Sequence, residues 1–86
     1  MRMYVISDNN DTLAGMRLSG VDGVVLHERE EVESELDRLY ADKTVGIILI
    51  TKKLRALAGG HIEELKRKNQ MPLILDIPDR HGERKE

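Results

Sequence analysis

Cysteine, phenylalanine and tryptophan are all missing from this 86-residue chain, and Tyr4 and Tyr40 are its only aromatic residues. Without cysteine, disulfides, thiolate chemistry and cysteine-based metal sites are excluded, which suits a reducing compartment. Two tyrosines offer too little platform for base stacking, so the core has to be assembled from Val, Ile, Leu and Met. An excess of one charge is also lacking. The 14 basic and 16 acidic residues are interspersed and leave a net charge of −2, so neither nucleic acid nor a membrane surface is an expected partner. No apolar run approaches the ~20 residues of a membrane span, and the start of the chain is too short in apolar residues for a signal peptide. Direct membrane insertion is therefore not expected, and a cytoplasmic location is.

What the chain does contain is organised around Val45-Gly46-Ile47-Ile48-Leu49-Ile50-Thr51. Its apolar residues do not alternate with polar ones, so it reads as a strand buried on both faces, as in parallel sheets covered by helices. Met3–Ile6 is a shorter strand, stopped by the turn-forming and capping cluster Ser7–Thr12. A short helix is predicted through Leu13, Met16 and Arg17 to Leu18, capped by Asp11 or Thr12. Gly20 and Gly23 end it, and Val24–Leu26 forms a second strand. From Glu28, Val32, Leu36, Leu39 and Tyr40 keep helical spacing, with acidic residues largely elsewhere. Helical spacing returns in Leu54, Leu57, Ala58, Ile62 and Leu65, with an interruption at Gly59-Gly60, where a hinge or close packing is expected. Lys66-Arg67-Lys68 suits a last turn and Asn69 a stop. Met71–Pro78 is the final strand.

This βαβαβαβ order predicts one α/β domain over residues 1–78, followed by a polar, disordered tail over 79–86. Doubly wound, it becomes a flavodoxin-like, four-stranded parallel sheet of order 2-1-3-4. Right-handed crossovers then put the first helix on one face and the later ones on the other. The first face is thinly covered. Either it is a docking surface near Leu13, Met16 and Leu18, or sheet twist and long side chains cover it unaided.

Ligands of such sheets bind at the carboxyl ends of the strands, which brings Asp8, Asp11, Thr51 and Lys52 towards one another. That grouping resembles a response-regulator receiver, but a receiver carries its phosphoaccepting aspartate where this chain has Thr51. Asp8 and Asp11 are accordingly read as turn and cap residues. Neither a G-x-G-x-x-G nor a P-loop pattern occurs, and no serine sits in G-x-S-x-G. His27, His61 and His81 have no metal-ligand spacing. No catalytic residue, metal site or cofactor is expected.

The stretch Val5–Val21, with its Ser7-Asp8-Asn9-Asn10-Asp11-Thr12 turn, resembles the G-D-x-D-T start of the F subunit of the V-type/A-type ATP synthases. Val45–Thr51 is similar to that family's D-V-G-I-I-L-I-T strand, and Met71–Pro78 to its closing P-V-I-V-E-I-P strand. Ser7 and Met16 depart from the family's usual glycine and phenylalanine, and the chain stops about where the family usually continues into a C-terminal helical segment. The resemblance implies a non-catalytic component of the central rotor stalk. Such a component binds the long coiled-coil D subunit and other subunits of the ATP synthase, lies peripheral to the membrane, and couples ATP turnover to proton or sodium transport. Position in the fold nominates Leu13, Met16, Arg17, Thr51, Lys52, Lys53, Leu54 and Leu57 as partner-facing. The alternative is a stand-alone receiver-like adaptor or signalling domain without a phosphoacceptor.

Overall fold

The computed structural model describes residues 2–77, so the expected tail over 79–86 lies outside the described residues, as does Pro78. The elements run β1 (Arg2–Ser7), α1 (Asn10–Leu18), β2 (Asp22–Val25), α2 (Arg29–Ala41), β3 (Val45–Thr51), α3 (Lys52–Leu57), α4 (Gly59–Lys68) and β4 (Leu73–Ile77). The strands form one parallel sheet in the order β2-β1-β3-β4, the doubly wound order that the sequence predicts.

The first strand runs one residue further at each end than the sequence reading, and the last starts at Leu73 rather than Met71; three other boundaries differ for a local reason. The cap of α1 is Asn9, whose side-chain Oδ1 accepts the Thr12 N–H at 2.7 Å, so neither Asp11 nor Thr12 plays that part. Ser7 braces the same turn: its hydroxyl donates to the Asn9 carbonyl at 2.8 Å and accepts the Asn9 N–H at 3.0 Å. The second strand begins at Asp22 and takes in Gly23, which pairs with Val5. A Cβ at Gly23 would overlap the side chain and carbonyl of Val5, so glycine is there for close approach and not to end the helix. Gly20 has that task, with φ of 88°. Its N–H bonds to the Arg17 carbonyl at 3.0 Å and that of Val21 to Met16 at 2.9 Å, the two hydrogen bonds of a Schellman stop.

The third helical stretch divides at Ala58, which has φ −110° and ψ 24° and is buried. A Cβ at Gly59 or Gly60 would meet nothing within 4 Å; the glycines are therefore not present for close packing, and the break turns on the small buried alanine.

Alternation sorts the sheet into two faces. Ile6, Ile48, Ile50 and Ile74 join Val32, Leu36 and Leu39 of α2, Leu54 of α3 and Ile62 of α4 in the main core. Val5 lies on the other face, where α1 packs on β1 and β2. Complete burial of β3 on both faces is not observed: Ile48 and Ile50 are fully buried, but Ile47 and Leu49 only half. The reason is reach, since α1 covers the β1–β2 half of its face and stops there.

Candidate functional site

The carboxyl edge of the sheet is where an enzyme of this architecture would work. Thr51 ends β3 there, 2 % exposed, with a hydroxyl that has no hydrogen-bond partner among the described residues. It occupies the N-cap position of α3 without capping it. Lys52 and Lys53 follow, exposed and without an ion pair among the described residues. Asp76, at the same edge of β4, is held by Arg55 at 2.8 Å. Among the described residues no group of three or more His, Asp or Glu side chains converges as a metal site.

The titrating groups that do shift lie elsewhere. Burial pushes the Tyr4 hydroxyl above the ordinary tyrosine value, helped by the negative charge of Glu35, and burial does the same for Tyr40. The Arg38 guanidinium stacks 5.4 Å from the Tyr4 ring centre. Asp42 is held below the usual carboxylate range, first by the Thr44 hydroxyl and backbone N–H, then by Arg2. Lys68 lowers Glu64 in the same sense. These contacts close turns and staple helices. His61 bonds Asp37 at 2.6 Å, tying α4 to α2.

The residues nominated from sequence do not make one surface. On α1, Leu13 is buried, Met16 is half-buried, and Arg17 reaches the Gly23 carbonyl at 3.4 Å and Asp22 at 3.7 Å. Leu54 and Leu57 belong to α3, across the sheet from α1; Leu54 is 1 % exposed and fills the main core, whereas Leu57 is exposed. Leu18, at the end of α1, is 91 % exposed.

A different apolar surface emerges on the sheet itself. Leu73 and Leu75 of β4 are 52 % and 48 % exposed, and register sets them beside the half-buried Ile47 and Leu49, with Met3 next in the row. Along the outer edge of β4 a shallow depression of about 380 Å³ continues past Leu73 and Leu75 to Lys66, Asn69 and Gln70. The sequence carried a signal for this face. Leu73-Ile74-Leu75 is apolar without alternation, so a strand made from it presents apolar side chains to both sides of the sheet.

The family described as ATP synthase (F/14-kDa) subunit matches residues 3–86. The A-type ATP synthase F subunit of Methanothermobacter thermautotrophicus is 35 % identical over 79 residues, covering 91 % of this chain and 73 % of its own. The F subunits of Pyrococcus furiosus and Pyrococcus abyssi are each 37 % identical over 87 aligned positions, covering 95 % of this chain and 79 % of theirs. These relatives and the strand-by-strand similarity agree: the chain belongs to the family of the ATP synthase (F/14-kDa) subunit.

Proposed function

We propose that this ATP synthase subunit is a non-catalytic part of the central rotor stalk, binding the coiled-coil D subunit and helping to couple ATP turnover to ion transport. The observation that carries the reading is the family match across residues 3–86, which spans every strand of the sheet. The site geometry is compatible with it. At the carboxyl edge Asp76 is ion-paired with Arg55, and the buried Thr51 hydroxyl has no hydrogen-bond partner among the described residues. Among the described residues no helix is long and apolar enough to cross a membrane, which suits a position peripheral to the bilayer. The receiver-like adaptor shares the strand order but has no separate observation in its favour.

Co-expression with the D subunit of the same organism tests the proposal. A stable complex on size exclusion, and no ATP hydrolysis by the isolated chain, is the expected outcome. Failure to associate, or turnover by a clean sample, overturns it.

A further inference from the structure

We infer that α4 is a latched helix, which opens as a unit while the sheet stays folded and which a protonated His61, bound to Asp37 of α2, holds shut. Its own sequence secures it weakly. It starts at Ala58 without a side-chain cap and opens on Gly59-Gly60, both poor helix formers. Of its ten residues only Ile62 is buried, with Leu65 partly buried beside the core. Helical backbone is broken at both ends, at Ala58 with φ −110° and ψ 24° and at Asn69 with φ −136° and ψ 143°. A segment with so little buried apolar surface belongs to the low-stability end of a fold and opens before the core does.

Among the described residues, one side-chain bond leaves α4 for another element: His61 Nε2 lies 2.6 Å from Asp37 Oδ1. The other polar contacts stay within the helix and its cap, Glu64 with Arg67 at 3.1 Å and Lys68 at 3.2 Å, and Asn69 with the Leu65 carbonyl at 2.9 Å. An ionised carboxylate only accepts, so Nε2 carries a hydrogen whether the ring is neutral or charged. Protonation at Nδ1 adds a full charge to a bond already made. That gain exists only while α4 lies on α2. Docking is therefore favoured below about pH 6.5, where histidine ordinarily becomes charged, and loses this contribution as pH rises through that range. The surrounding charges do not titrate there. On α2, Glu33 pairs with Arg29 at 4.0 Å and Glu35 with Arg38; α4 itself adds Glu63 and Glu64; α3, which also packs on α4, carries Lys52, Lys53 and Arg55, the last held by Asp76 at 2.8 Å. Such carboxylates are ionised, and such lysines and arginines charged, across the histidine range. The side chains of His61 and Asp37 are 27 % and 58 % exposed, so solvent screening keeps the effect to about threefold in the opening equilibrium. The inference goes beyond the stalk reading and does not depend on it.

Amide hydrogen exchange of the full chain, read by mass spectrometry about one pH unit below and above the ordinary histidine value, tests it. Rates are corrected for the intrinsic effect of pH, and peptides from β3 serve as the measure of global unfolding. The expected result is that α4 exchanges faster than β3 at both pH values, with its protection falling about threefold from the lower to the higher. His61→Gln and Asp37→Asn should each abolish that fall, because the first cannot charge and the second has no charge to offer. Gly60→Ala, which strengthens the helix without touching the latch, should raise protection of α4 at both pH values and leave their ratio as it was. Protection of α4 that is independent of pH, or a fall that survives either latch variant, overturns the role of His61. Exchange of α4 and β3 at one common rate, or no gain in Gly60→Ala, overturns the opening of α4 as a separate unit.

Discussion

Gly23 and Thr51 show how much single atoms decide in so small a sheet. Because a Cβ at Gly23 has nowhere to go but into the Val5 carbonyl and side chain, Gly23→Ala should cost roughly 2 kcal/mol or more, within the range of overpacked cores. Gly15→Ala, where the added carbon meets nothing inside a helix, should instead stabilise by about 1 kcal/mol. Urea unfolding of the two variants checks the contrast, and equal effects would remove the close-approach explanation. Thr51 buries a hydroxyl with no partner among the described residues, and such a group carries a desolvation cost of roughly 1–3 kcal/mol. Thr51→Val should therefore raise stability by about 1 kcal/mol; a clear loss would mean that the hydroxyl is satisfied after all. Neither effect could be read from the chain alone. Gly23 looks like a helix terminator and Thr51 like a strand end until their neighbours across the sheet are known.

Among the elements, α1 and α4 owe their limits to local chemistry that was only partly legible. The cluster Ser7–Thr12 announces a capped helix, but every one of its side chains is of a type that can cap. The choice of Asn9 follows from the bracing of the turn by Ser7. Asn9→Ala should destabilise by about 1 kcal/mol, with most of it restored by Asn9→Asp. In α4, Gly60 sits in helical backbone with open space about it, so Gly60→Ala should stabilise by roughly 0.5–1 kcal/mol. Thermal melts separate the two signs. A large loss in Gly60→Ala would show that α4 needs the freedom of that glycine, as a hinge does. The helical spacing of α2 was legible in full, since Val32, Leu36 and Leu39 all reach the core.

For the molecule as a whole, the shifted groups bound the pH range of stability from both sides. Asp42 and Glu64 have folded pKa values below their unfolded ones. Their contribution is present above the unfolded value and is lost as pH falls through the folded one. Stability should thus decline as pH drops below about 4, and Asp42→Asn should flatten that decline. Tyr4 and Tyr40 have folded values above the ordinary 10.0 of a tyrosine. What they contribute is present below that pH and is lost as pH rises through the raised values. Melting temperatures should therefore fall again in strong alkali, less so in Tyr4→Phe, where an unchanged alkaline limb would exclude Tyr4 as its source.

The sequence by itself determined the alternation of strands and helices, the parallel sheet and the absence of a familiar phosphate loop, because periodicity, caps and glycine turns act between near neighbours. It could not distinguish Ile47 and Leu49 from Ile48 and Ile50, which are chemically alike and adjacent. That choice belongs to the tertiary structure. Among the described residues, the right-handed crossovers lay three helices over one side and α1 alone over the other, and the reach of α1 ends between β1 and β3. The apolar residues past that line are therefore left facing outward.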